Sequence, residues 1–213
     1  MANVSRVNGF RPVKHLNGSP YNGQMNIYEV AAGEAIPVFV GDLVKLSDAD
    51  ATGDYPTVES VSTATTAVTG NAAVAVVGAV VGIVNNKLAV DGKMTTGSVS
   101  LDIPIYRAAS TKQYVLVADA PDLIFEAEAI ASVALDSIGL NADISSAAQT
   151  AGGGSGTSGQ GVATTAPTST ATRPLTIMGF SKRIDNEPVS ANNKVLVRIN
   201  THQYGAAGLA GHG

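Results

Sequence analysis

Seven short apolar runs, separated by turn-forming residues, restrict the fold of this chain more than any other feature. They are rich in Val, Ile, Leu and Tyr, and they lie at Ile36–Leu46, Val74–Val84, Val99–Tyr106, Gln113–Ala118, Leu123–Ala129, Leu175–Ile184 and Lys194–Thr201. Several short strand-like runs with turn signals between them are typical of barrels and sandwiches. The sequence therefore predicts an all-β fold, built as a barrel or a sandwich.

One of these runs shows the alternation of a half-exposed strand. With a period of two, Phe125 and Ala127 fall on one face, and Glu126 and Glu128 fall on the other. We expect the two carboxylates to form a solvated face rather than a catalytic pair, because glycosidase chemistry needs carboxylates across a cleft.

The segment Ala129–Leu140 is the one place where a helix competes with the β interpretation. Ile130, Val133 and Ile138 are loosely spaced for a helical face, and Gly139 could then end the helix. Both alternatives stay open from the sequence.

The composition predicts a core of small side chains. Hydrophobic residues make up 45% of the 213 residues, but aromatic residues make up 5% and Trp is absent. We therefore expect a core of small β-branched residues in one domain.

Charge is scarce and unevenly distributed. Charged residues are 14% of the chain, against about 25% in typical soluble domains. Residues 1–28 carry Arg6, Arg11 and Lys14 without an acid, whereas residues 29–143 carry fifteen acids and five bases. This pattern favours basic segments that lie on acidic neighbours in an assembly, and three scattered bases do not predict a nucleic-acid partner.

The chain divides by composition into three parts. Residues 1–28 are rich in Asn, Gly and Pro, which predicts an extended N-terminal arm without regular strands, and we expect the rest to fold without it. Residues 29–204 would form the β domain, and residues 205–213 a flexible tail. Within the domain, residues 144–172 contain no charge and predict a long loop excursion.

Several classes of site have no support in the sequence. Without cysteine there is no thiolate ligand or nucleophile. The longest apolar run, Ala72–Val84, is short of the ~20 residues that span a bilayer, so we interpret it as a buried strand and expect no membrane partner. His15, His202 and His212 lie in no catalytic motif. We expect solvated or interfacial histidines, no cofactor and no enzymatic activity.

One local pattern resembles a calcium loop. Asp48, Asp50, Thr52 and Glu59 occupy positions 1, 3, 5 and 12 of such a loop, with Gly53 at position 6. Flanking helices are not predicted, and Asp/Gly clusters are common between strands. A solvated hairpin loop is therefore the favoured interpretation, with calcium as the weaker alternative.

Five stretches together resemble a known family. They are Asn8–Gly23, Phe39–Leu46, Ile105–Asp122, Pro174–Glu187 and Lys194–Tyr204. In these stretches the chain is similar to the head decoration (capsid cement) or minor structural proteins of podovirus-like tailed bacteriophages. The similarity is thinner across residues 50–100 and 144–172.

The resemblance implies a β-barrel or jelly-roll-like body on the outer capsid surface of the virion, assembled in the host cytoplasm. Its expected partners are the major capsid protein and the chain itself, as a homodimer or alternatively a homotrimer. We expect the arm to make the capsid contact through Arg6, Phe10, Arg11, Lys14 and His15. Alternatives are another virion component, such as a tail, collar or head-fibre protein, or a carbohydrate-binding β module.

Overall fold

The chain folds almost entirely as antiparallel β-structure. A computed structural model describes residues 3–47, 55–61, 74–84, 106–146, 156, 158–163 and 165–205. In these residues there are twelve strands, and the only helical element is a single turn of 3-10 helix at Leu135–Ser137. The predicted all-β class is therefore confirmed. No helix in the described residues is long or apolar enough to cross a membrane.

The strands are short and follow one another with few interruptions. In chain order they are β1 (Arg11–His15), β2 (Asn26–Val30), β3 (Leu43–Leu46), β4 (Val58–Ser60), β5 (Gly78–Val84), β6 (Gln113–Ala118), β7 (Leu123–Glu128), β8 (Asn141–Ala142), β9 (Ile144–Ser146), β10 (Gln160–Val162), β11 (Leu175–Phe180) and β12 (Lys194–Ile199).

Two five-stranded antiparallel sheets make up the body. The first sheet has the order β1-β7-β12-β11-β8, and the second has the order β2-β6-β5-β3-β4. A separate two-stranded sheet pairs β9 with β10. This arrangement is compatible with a single β-sandwich or jelly-roll-like domain.

The first hydrophobic core joins the two sheets. The first sheet contributes Leu123, Phe125, Ala127, Leu175, Ile177, Val195, Val197 and Ile199, and the second contributes Leu43, Ala79 and Ala118. All of these side chains are buried. Phe125 and Ala127 face this core, as the alternation in the sequence predicts.

The second core lies on the opposite face of the second sheet. Alternation along β3, β5 and β6 sends Leu43, Ala79 and Ala118 to the first core and Val44, Val80 and Val117 to the second. Among the described buried residues, the second core consists of Tyr28 and eight valines. The expectation of a core of small β-branched side chains is confirmed most clearly here.

The edges of both sheets are engaged within the chain. A parallel bridge between Glu29 and Thr57 joins the two edge strands of the second sheet, so that this sheet is rolled around its core. In the first sheet, the loop after β1 turns back on that strand, and Tyr21 N donates to Val13 O at 3.0 Å. The other edge strand of this sheet, β8, is two residues long.

Six strands lie within or match the predicted runs. β6 coincides with Gln113–Ala118, and β3, β5, β7, β11 and β12 fall inside their runs. The run at Val99–Tyr106 lies outside the described residues except for Tyr106. The helical alternative for Ala129–Leu140 is wrong, because only one 3-10 turn forms there and Ile177 pairs by backbone hydrogen bonds with Gly139 and Leu140.

The N-terminal segment corrects the expectation of an arm outside the body. β1 pairs antiparallel with β7, and β2 pairs antiparallel with β6. Phe10 is 1% exposed and packs in the first core, and Tyr28 is buried in the second. Residues 1–28 therefore supply two strands and two core aromatic residues, which a composition rich in Asn, Gly and Pro does not reveal.

Two glycines allow this segment to dock closely. Phe10 N donates to Gly41 O at 2.8 Å, which brings the backbone of the segment against residues 40–41. Gly9 has a φ of +69°, and a Cβ there would lie 2.3 Å from Gly41 O. Gly41 has a φ of +98°, and its Cβ would meet Asn8 O at 2.5 Å. Both positions need glycine for conformation and for space.

The predicted loop excursion at residues 144–172 also differs from the structure at its ends. β9 and β10 come from this stretch, and Ile144 and Val162 are buried in the first core. The side chain of Gln160 accepts a hydrogen bond from Leu43 N at 2.7 Å. Apolar and amide side chains at intervals in an uncharged, Gly-rich stretch therefore anchor the excursion to the body.

A buried arginine fixes two connections next to the second core. The Arg107 guanidinium donates to the carbonyl oxygens of Ala31, Ile36 and Thr111, each at 2.7 Å. Burial lowers the pKa of Arg107 from its usual value. Three carbonyl acceptors compensate for the desolvation of the charge, so this residue holds structure together and is not free to contact a ligand.

We predict that Phe10→Ala destabilises the whole domain. A buried Phe replaced by Ala leaves a cavity, and the expected loss in the free energy of unfolding is about 3–5 kcal/mol. Urea denaturation followed by circular dichroism measures this loss. Val13→Ala, at an exposed position of β1, is the control and should change stability by less than about 0.5 kcal/mol. An unchanged unfolding midpoint for Phe10→Ala would restore the detached-arm interpretation.

Candidate partner-binding groove

A surface groove lies where the N-terminal segment crosses the end of the first sheet. Its volume is about 310 Å³. Three pieces of chain form its walls: residues 3–11, the end of β7, and the connection between β11 and β12. The lining residues that carry charge or exposed apolar surface are Val4, Arg6, Arg11, Glu126, Glu128, Arg183, Ile184, Asp185, Glu187 and Lys194.

A buried carboxylate at the end of β7 ties these pieces together. Glu128 is 2% exposed. Its oxygens accept hydrogen bonds from Lys194 Nζ at 2.5 Å, from Ser5 Oγ at 2.9 Å and from Arg6 N at 2.8 Å. A carboxylate with three donors, one of them cationic, is well compensated for burial. The expectation that Glu128 lies on a solvated face is therefore wrong, whereas Glu126 is half-buried.

The opposite wall is held by a single asparagine. Asn186 Nδ2 donates to Ser181 O at 2.8 Å and to Lys194 O at 2.9 Å, and Asn186 Oδ1 accepts from Lys194 N at 2.7 Å. The connection between β11 and β12 is thus closed at its base. Asn3 joins it to the N-terminal segment, because Asn3 Oδ1 accepts from Glu187 N at 2.7 Å.

The tip of this connection displays an apolar side chain. The Arg183 guanidinium contacts both carboxylate oxygens of Asp185, at 3.0 and 3.2 Å. This pairing lowers the pKa of Asp185 and raises that of Arg183, and the charge of Arg6 lowers the Asp185 pKa further. Ile184, between the paired residues, has a relative exposure of 107%.

Two of the predicted partner-binding residues line this groove. The side chains of Arg6 and Arg11 are exposed there, and no ion pair among the described residues uses either guanidinium. Phe10 corrects the prediction, because its side chain is buried in the core and is not available to a partner.

The other two predicted residues lie farther along β1. Lys14 and His15 do not line the groove. His15 Nδ1 is 3.0 Å from Asp122 Oδ1, a contact that ties β1 to the start of β7. The structure therefore separates the predicted set into groove residues, a core residue and sheet residues.

Only part of the possible calcium loop lies within the described residues. Asp48, Asp50 and Thr52 lie outside the described residues. Glu59 lies on β4 opposite Lys45, and Lys45 Nζ is 2.6 Å from Glu59 Oε1. β3 and β4 are antiparallel neighbours, and residues 48–54 of their connection lie outside the described part of the chain. In the described part of the chain, no three His, Cys, Asp or Glu side chains are grouped as metal ligands.

The predicted solvated or interfacial histidine at position 202 is instead buried. His202 Nδ1 accepts a hydrogen bond from Tyr204 N at 3.0 Å, and Nε2 has no partner among the described residues. Burial lowers the pKa of His202, which favours the neutral ring. His212 lies outside the described residues.

Comparisons with known proteins give no match. No protein-family model, no curated protein and no solved structure matches this chain.

Sequence reasoning missed most of the groove. Glu128 and Lys194 lie at the ends of two predicted strands, but only the structure shows that they are direct cross-strand neighbours. Ile184 ends the predicted run Leu175–Ile184, whereas β11 ends at Phe180 and leaves Ile184 in the connection. Nothing in the sequence brings Asn3 and Ser5 to these residues.

We predict that Glu128→Gln loosens the N-terminal segment. The amide loses the charge that Lys194 and two further donors require, and we expect a loss of about 2 kcal/mol in the free energy of unfolding, because Lys194 keeps some contact with water. Hydrogen exchange at the Arg6 amide, measured by NMR, should accelerate. Asp136→Asn, at an exposed site, is the matched control. Equal exchange in both variants would contradict the proposed role of Glu128.

A second prediction concerns pH. The pKa of His202 is lower in the folded protein than its ordinary value of about 6.5. Below that value the unfolded chain binds a proton that the folded chain resists, so the free energy of unfolding should fall as the pH decreases from about 6.5. His202→Asn keeps an acceptor for Tyr204 N and should lack this component. Urea denaturation between about pH 7.5 and 5 compares the two proteins, and parallel pH profiles would show that His202 contributes nothing.

Proposed function

We propose that this chain is a virion structural protein, a capsid cement subunit that binds the outer surface of a tailed-phage head and stabilises the lattice of major capsid protein. The observation that carries the proposal is where the lining residues of the groove lie in the sequence. Its lining residues from Asn8 to Arg11, from Arg183 to Glu187, and at Lys194 fall in three of the stretches that resemble the decoration family.

The hydrogen bonds that hold the groove support attachment through a preformed surface. The groove is built from both ends of the domain and is held by Glu128 and Asn186, so its shape is set before a partner arrives. A preorganised surface loses less conformational entropy on binding than a floppy arm does. Several modest contacts of this kind, made at once across neighbouring capsid subunits, would raise effective affinity by about 10²–10⁴.

The proposed role is structural and not catalytic. The low charge of the chain suits a surface that is partly covered by neighbours, and the acidic middle region disfavours a nucleic-acid partner. Self-association as a homodimer, or alternatively a homotrimer, belongs to the proposal, since a decoration subunit placed on a symmetry axis of the lattice contacts its own copies. The proposed location is the outer capsid surface, reached after assembly in the host cytoplasm.

We predict that the purified chain binds expanded phage heads that lack it and does so in many copies per particle. Sedimentation of heads with increasing amounts of the chain, followed by quantitative gel analysis, gives the saturating copy number. Saturation at a multiple of the capsomer number is expected. Saturation at a few copies would instead indicate a collar, tail or fibre component, and an absence of binding would refute both.

A further inference from the structure

We infer that the groove takes an extended, acidic peptide segment of the partner protein, with carboxylates at Arg6 and Arg11 and apolar side chains over Val4 and Ile184. This inference rests on the proposed function in one respect, since it names the chemistry of the protein to which the subunit attaches. The groove could equally be tested without a phage head.

Two exposed aliphatic residues form the apolar part of the groove. Ile184 has a relative exposure of 107% and Val4 of 68%, and both line the same groove. The two come from opposite ends of the chain, and each adjoins a residue whose side chain makes a hydrogen bond within the groove. Ser5 is held by Glu128, and Asp185 is held by Arg183. Because both line the same groove, the two exposed aliphatic side chains give it an apolar surface that a partner can cover.

The charged half depends on which groups are already paired. Of the four acids of the groove, Glu128 is bound by Lys194, Asp185 by Arg183, and Glu126 accepts from Ser181 Oγ at 2.6 Å. The fourth, Glu187, is not free either. The guanidinium groups of Arg6 and Arg11 form no direct ion pair within the described residues, and Arg6 acts on Asp185 only from a longer distance. A planar guanidinium matches a carboxylate with two parallel hydrogen bonds. The open positions of the groove therefore fit carboxylates.

The mixture of acids and bases in the groove favours a peptide over a nucleic acid. Four acids line the groove together with the four bases, so a continuous phosphate backbone would meet repulsion along its length. A peptide can place a carboxylate at each arginine and leave neutral side chains elsewhere. An extended conformation lets alternate side chains of the peptide reach opposite walls of the groove.

The experiment uses the full chain and defined peptides. The probe is a fluorescent octapeptide with two acids, Asp-Leu-Ser-Val-Glu-Leu-Ser-Val, and its partner probe has Asn and Gln in place of the acids. Anisotropy at low ionic strength measures both affinities.

The variants are Arg6→Glu with Arg11→Glu, and Ile184→Ser. Matched controls are Arg198→Glu and Ile138→Ser, which are exposed and lie outside the groove. All variants change exposed side chains, and melting curves verify their folding.

We expect the acidic probe to bind at least tenfold more tightly than the neutral one. The double arginine variant should abolish this preference, Ile184→Ser should weaken binding about tenfold, and both controls should bind as the wild-type chain does. Absence of wild-type binding, equal binding of the neutral probe, or an equal loss in the controls would overturn the inference. Displacement of the probe by a single-stranded oligonucleotide would overturn the inference too. So would a wild-type dimer in sedimentation velocity that becomes a monomer in the groove variants.

Phage heads separate this inference from the proposed function. If the wild-type chain decorates heads and the groove variants decorate them equally, the groove inference is wrong and the proposed function stands. If the wild-type chain does not decorate heads, the proposed function fails, and the peptide measurements alone decide what the groove binds.

Discussion

The shape of the groove depends on one buried carboxylate. Glu128 is anchored at the end of a central strand, and it binds the lysine of the neighbouring strand together with the backbone and side chain of the N-terminal segment. Because a buried charge needs donors in place of water, separating the segment from the sheet removes two of the three donors that compensate this carboxylate. A surface feature is thereby tied to the stability of the domain.

The sequence predicts the central strands well because their signal is local. β6 coincides with its predicted run, and the alternation in β7 correctly places Phe125 and Ala127 in the core. β1 could not be found in this way, since Pro12 and the neighbouring glycines are typical of loops and its partner strand lies in the second half of the chain. Composition describes what a segment would do alone, and tertiary pairing overrides it.

The residues of the candidate site also differ in how far the sequence alone predicts them. Arg6 and Arg11 were predicted from the imbalance of charge, which is a property of sequence alone, and both lie in the groove. Phe10 was placed in the same set by its position, but its ring fills the first core. The burial of Glu128 depends on donors contributed from residues 5, 6 and 194, so a pattern within one strand could only assign it to the outward face.

The rolled second sheet, joined at Glu29 and Thr57, has a consequence for crowded copies of the chain. A strand edge with unpaired amides and carbonyls is a template on which further strands of other molecules can grow into fibres. In the second sheet the two edges meet one another. One edge of the first sheet is β1, which contains Pro12 and is covered by the loop that follows it. The other edge is β8, which has only two residues. On the strands that the structure describes, copies of the chain at high local density would therefore find few free backbone edges, and contact between them would be left to side chains.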